Sequence, residues 1–119
     1  MMNRFPAYDV SIDEVHHVQK KDAPSGTAIT LAEGVLNNVE RKKRWVKNPA
    51  ADHTDLEIQS FRIDDVPGTH VIKYASPIDD IEIKHTAHSR EGFALGAVMV
   101  AEWIREKSGV LNMDDFLKF

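Results

Sequence analysis

Ala28, Leu31, Ala32, Val35, Leu36 and Val39 recur at i, i+3, i+4, i+7, i+8 and i+11. Only an α-helix gathers such a set into one stripe, and a stripe this long has to be buried against another layer. The spacing predicts a helix over 24–44. Pro24 and Ser25 mark its start, as a first-turn proline or an N-cap serine would. Arg41-Lys42-Lys43-Arg44 closes it with cations at the negative end of the helix dipole. That run reads as a solvated helix end before it reads as a nucleic-acid patch. Lys47-Asn48-Pro49 then breaks the chain, and 45–53 reads as a loop.

The helix needs a sheet to cover. Tyr8, Val10 and Ile12 alternate with Asp9, Ser11 and Asp13, the period of a half-buried strand. The phase breaks at Glu14, where the strand is expected to end or bulge. Three further strands are predicted at 54–63, 69–76 and 79–88. Pro67-Gly68 and Pro77 with Asp79-Asp80 punctuate them, and such short links predict an antiparallel meander. In the last strand Ile81, Ile83, His85 and Ala87 share one face, so His85 is expected in the core or at an interface. A second helix over 91–107 is apolar nearly all round from Phe93 to Ala101, which calls for cover from the domain or from a second subunit. Ser108-Gly109 stops it, and 113–117 can form one more turn. The order predicts an α+β fold: a mixed, largely antiparallel four-stranded sheet with two main helices, as a single domain over 1–119.

Composition removes several function classes. A net charge of −4 gives no footprint for nucleic acid or an anionic membrane surface. With no cysteine, disulfides, thiolate metal sites and a cysteine nucleophile are out. No apolar run approaches the roughly 20 residues of a membrane span, and the N-terminus lacks the apolar core of a secretory signal. A cytoplasmic location is expected. No histidine or carboxylate pair recurs at a metal-ligand interval, so no metal is expected, and His70 and His88 read as structural or solvated. Trp45 and Trp103 read as packing anchors.

The chemistry concentrates in Glu14-Val15-His16-His17-Val18-Gln19-Lys20-Lys21-Asp22-Ala23-Pro24-Ser25-Gly26-Thr27-Ala28. Two histidines and two lysines leave a strand, and a proline-bounded turn opens the helix. The first helical amides lack intrahelical partners and carry the positive dipole end, and Gly26 lets a ligand approach them. Such a site suits a carboxylate. Lys20 adds a full charge, and His16 and His17 add groups that exchange protons near neutral pH. Both histidines reach one pocket only if the strand has ended by Glu14. Taken by residue types alone, a surface His-His pair and a plain helix cap, within a self-contained interaction module, remain the alternative.

His16-His17-X-X-Lys20-X-Asp22-Ala23-Pro24-Ser25-Gly26-Thr27-Ala28 closely resembles the signature segment of the dihydrodipicolinate reductase family. Pro67-Gly68-Thr69-His70-Val71, Ile81-Glu82-Ile83-Lys84-His85, Ser89-Arg90 through Ala97, and Met113-Asp114-Asp115 resemble that family's C-terminal half. The resemblance implies reduction of a cyclic dicarboxylate, 4-hydroxy-tetrahydrodipicolinate, by NADPH or NADH in lysine and diaminopimelate synthesis. It implies His16 and Lys20 as catalytic groups and His17, Gly26 and Thr27 as substrate contacts. Asp22 would orient Lys20 or cap the helix, and Arg90 would hold a second carboxylate or an interface partner. It also implies a homotetramer assembled through the sheet of this domain. The departure is the missing glycine-rich turn of a dinucleotide fold. The chain is therefore expected to be the substrate-binding and oligomerisation half alone, with no cofactor-binding residue of its own and no turnover in isolation.

Overall fold

The computed structural model describes residues 1–47 and 49–118, in two compact units, Met1–His88 and Ser89 onward. Asn48, part of the expected break, lies outside the described residues.

The first unit is built on a five-stranded mixed sheet. Its strands are β1 (Asp9–His16), β2 (Arg44–Lys47), β3 (Asp55–Arg62), β4 (Gly68–Ala75) and β5 (Asp80–Ala87), in the order β2-β3-β1-β4-β5. β1 pairs parallel with β3 and antiparallel with β4; β2 joins β3 in parallel, and β5 joins β4 antiparallel. Two expectations change. The sheet has a fifth strand, β2, where a loop was predicted, and the meander is confined to β4–β5 because β1 inserts between β3 and β4. A parallel β1–β3 pair needs a long crossover, and the helix supplies it.

That helix, α1, runs Gly26–Asn38, shorter at both ends than its periodicity predicts. Ser25 is the N-cap, its Oγ accepting from the Ala28 amide at 3.1 Å. Val39 already has extended dihedrals and ends the helix while keeping its side chain in the core. Ala28, Ala32, Val35 and Val39 bury against Val10 and Ile12 of β1 and Leu56 and Ile58 of β3. Fully burying each of the larger side chains is worth about 1.5–3 kcal/mol. Trp45 packs on the edge of this cluster, as expected of an anchor. α1 lies over β1, β2 and β3. Ile81 and Ile83 of β5 stay exposed, as does His85, so of its two expected places, core or interface, the core is excluded.

The basic run is not a solvated helix end. Lys42 is buried, its Nζ donating to the Asp55 carbonyl at 2.6 Å and pairing with Asp9 at 2.7 Å. Arg41 donates to the carbonyls of Met2 and Tyr8. Both cations hold chain segments together after the helix has ended.

The second unit carries α2 (Glu91–Trp103), a 3-10 turn (Ile104–Glu106) and α3 (Met113–Leu117). Trp103 meets Phe116 edge-on at 5.3 Å and lies under the Lys107 ammonium at 4.7 Å, so it too anchors packing. Asn112 and Asp115 form a reciprocal capping box at the start of α3. Phe93, Leu95, Val98 and Met99 of α2 are exposed. Among the described residues no helix is long and apolar enough to cross a membrane.

Candidate functional site

β1 does not end at Glu14. It continues through His16, and Val10, Ile12, Glu14 and His16 are all buried on the face toward α1. What looks in sequence like a broken phase is an unbroken one with a charge inside it. Burying a carboxylate is costly unless donors surround it. Here they do. Arg62 forks onto it, Nη2 donating to Oε1 at 2.9 Å and Nη1 to Oε2 at 3.1 Å. The Ser25 amide donates to Oε1 at 3.3 Å, and the His16 ring presents Nδ1 to Oε2. Burial pushes the Glu14 carboxyl up, but the hydrogen bonds from Arg62 and His16 outweigh it and hold the group below its ordinary value. Ser60, its register partner on β3, lies close by, yet its buried Oγ makes no hydrogen bond of good geometry.

Glu14 thus joins the end of β1 to the start of α1. A second link runs beside it. His70 on β4 meets His16 edge-on, with ring centroids 5.1 Å apart, and its Nε2 stands 2.9 Å from Ser25 Oγ. Burial first, and the neighbouring His16 second, lower the His70 pKa. Gly68 leaves room for the His16 ring: a Cβ there would meet Nε2 at 3.2 Å.

His17, Lys20, Gly26 and Thr27 follow β1 in the chain, between its end and the first turn of α1. His17 is the first residue past β1, half-buried, with Nδ1 3.0 Å from Gln19 Oε1. Lys20 is half-buried and donates to Asp22 at 2.9 Å, which holds the Asp22 carboxyl below its ordinary value. The orienting partner for Lys20 is therefore Asp22, while the helix cap is Ser25. Gly26 and Thr27 are exposed in the first turn of α1, where the amides face no intrahelical acceptor. Arg90 is exposed at the N-cap of α2 and makes no capping bond.

Sequence reading missed the roles of Glu14 and Arg62, and the contacts by which Ser25, its expected cap confirmed, meets Glu14 and His70. Glu14 and His16 share strand parity, which could have flagged the pair; Arg62 left no local signal, since its partner lies 48 positions away. Glu14, His16 and His70 offer ligand atoms within 4.8 Å of one another. A guanidinium already spans both oxygens of Glu14, so a metal ion there would face that fixed positive charge.

At the end of a central strand of this α+β domain, Glu14 joins the His16 ring to the N-cap amide of α1. The chain belongs to the family described as "dihydrodipicolinate reductase, C-terminus", whose model matches residues 1–117. It is 50% identical over 117 residues to the 4-hydroxy-tetrahydrodipicolinate reductase of Christiangramia forsetii, covering 98% of this chain and 48% of that one. It is 43% identical to the reductase of the same name from Methanosarcina barkeri, over 92% of this chain and 43% of that one. Among solved structures it is similar to a dipicolinate-bound dihydrodipicolinate reductase from Paenisporosarcina sp. TG-14. The TM-score is 0.65 at 26% identity, covering 88% of this chain and 42% of the other. The chain spans about half the length of the curated relatives it matches.

Proposed function

We propose that this chain is the substrate-binding part of an NAD(P)H-dependent 4-hydroxy-tetrahydrodipicolinate reductase, acting in lysine and diaminopimelate synthesis. One observation carries the reading: a single buried carboxylate, Glu14, contacts both the His16 ring and the amide of the α1 N-cap. The proton-exchanging group and the anion-binding helix end therefore belong to one rigid assembly. The family relationship and the dipicolinate in the related structure support a cyclic dicarboxylate as ligand.

In this reading one substrate carboxylate rests on the Gly26 and Thr27 amides, and His17 and Lys20 contact the diacid. Reduction at an unsaturated carbon leaves negative charge that must take up a proton, and His16 or Lys20 supplies it. The nicotinamide cofactor is a different matter. The turn after β1, Asp22-Ala23-Pro24-Ser25-Gly26, carries one glycine and a proline and does not fit a dinucleotide pyrophosphate. The exposed isoleucines of β5 support self-association through the sheet, and a homotetramer in the cytoplasm is the assembly proposed.

Calorimetric titration with pyridine-2,6-dicarboxylate tests the site. Saturable binding that His17→Ala and Lys20→Ala each weaken is the expected result. A chain that takes up none of the diacid would overturn the reading.

A further inference from the structure

We infer that Glu14 and Arg62 are positioning residues of this site: Glu14 fixes the tautomer of His16, and Arg62 holds the loop that carries Lys20. The inference rests on the substrate-site reading for its purpose but on geometry for its content.

An ionised carboxylate only accepts hydrogen bonds. His16 presents Nδ1 to Glu14, so Nδ1 carries a hydrogen and Nε2 is the atom left to exchange protons. The ring cannot swing away cheaply, because Glu14 is fully buried and His16 nearly so. A free imidazole would divide itself between two tautomers; this one is held to one.

Arg62 extends the same hub into the loop. Besides forking onto Glu14, its Nη2 donates to the Asp22 carbonyl at 2.7 Å and its Nε to the Lys20 carbonyl at 3.4 Å. Residues 20–22 lie outside any helix or strand, so these bonds tie backbone that no ladder holds. Lys20 is thus anchored at its backbone by Arg62 and at its ammonium by Asp22. Neither Glu14 nor Arg62 needs to touch substrate to set where His16 and Lys20 sit. The planar fork is what permits one side chain to serve both Glu14 and two carbonyls, and a lysine cannot reproduce it.

Long-range proton–nitrogen spectra of the imidazoles test the first half on the unmodified chain, above about pH 8, where an ordinary imidazole is neutral. His16 is expected as a single Nδ1–H tautomer. A mixture, or the Nε2–H form, overturns the proposal without any variant. In Glu14→Gln the amide oxygen should take the Oε1 place, where both donors, the Ser25 amide and Arg62 Nη2, cannot change role, and leave the NH₂ facing His16 and Arg62 Nη1. The ring should then switch to Nε2–H; an unchanged tautomer counts against the inference. Arg62→Lys should leave the tautomer alone and weaken pyridine-2,6-dicarboxylate binding roughly 10-fold or more, by analogy with the outer-shell partners of metal ligands. Wild-type affinity in Arg62→Lys sinks the second half. A purely structural ion pair would lower stability in both variants and separate neither readout. If the unmodified chain binds no diacid, the substrate reading fails by itself, and the tautomer spectra still decide the claim about Glu14.

Discussion

The Ser25 hydroxyl and His70 Nε2 lie 2.9 Å apart, joining the cap of α1 to the middle of the sheet. Ser25 Oγ accepts from the Ala28 amide and still carries a hydrogen that a neutral His70 can accept at Nε2. Burial lowers the His70 pKa from an ordinary value of 6.5, in keeping with that role. Below pH 6.5 the unfolded chain protonates this histidine while the folded chain resists, so stability is full above 6.5 and declines as pH falls toward the depressed folded value. Glu14 acts in a lower window: its stabilisation is present above the ordinary 4.5 and is lost as pH falls through its own depressed value. Urea unfolding between about pH 8 and pH 5 should therefore show a fall that His70→Gln, which keeps a neutral acceptor, flattens. An equally steep fall in His70→Gln would remove His70 as the cause.

Gly68 is where the sheet makes room for His16. An added Cβ would stand 3.2 Å from Nε2, closer than relaxed carbon–nitrogen contact, and the ring is pinned on its other side by Glu14. Gly68→Ala is expected to displace the imidazole by a few tenths of an ångström and cost about 1–3 kcal/mol, the range for overpacking. The imidazole resonances of His16 and His70 should move together, as the rings are in edge contact. Unshifted resonances in a folded variant would mean that His16 has slack the structure denies it.

How much of this was legible in the sequence depends on how local the cause was. The α1 stripe, the β4–β5 hairpin, the final turn at Met113 and the capping role of Ser25 all rest on short-range periodicity or turn chemistry, and they stand. The end of α1 was misjudged because Arg41-Lys42-Lys43-Arg44 looks like a favourable helix terminus, whereas Lys42 is drawn under β3 by the Asp55 carbonyl. The end of β1 was misjudged because a glutamate on the core face is rare, and only the fork from Arg62 makes it tolerable. The strand order was hidden for a similar reason. Parallel pairing of β1 with β3 is set by how α1 packs, not by any residue within the strands.

Lys42 offers a direct test of the corrected helix end. Its ammonium is buried, bonded to the Asp55 carbonyl and paired with Asp9. Lys42→Ala leaves that carbonyl without its donor and opens space beneath it, with an expected loss of about 1–3 kcal/mol. Lys42→Met keeps the aliphatic stem and should lose less. Chemical denaturation of both variants decides it. A solvated helix-end lysine would give changes within about 0.5 kcal/mol in either case.

β5 bears on assembly. Ile81 and Ile83 stand opposite Tyr74 and Ile72 of β4, yet both are exposed because α1 covers β1, β2 and β3. Isoleucine suits a strand that is covered, and neighbouring exposed isoleucines on one strand face are open to cover from outside the first unit. If copies of this chain associate through the sheet, Ile83→Lys should leave the monomer fold nearly untouched, since the side chain contributes little to the core. The charge would have to be desolvated in an assembly, at a cost of several kcal/mol per buried ion. Light scattering should then report a tetramer for the unmodified chain and a smaller species for Ile83→Lys, with matching unfolding midpoints at concentrations where both are monomeric. Equal masses for the two proteins would place any interface elsewhere than β5, and a monomeric unmodified chain would rule out self-association by these residues alone.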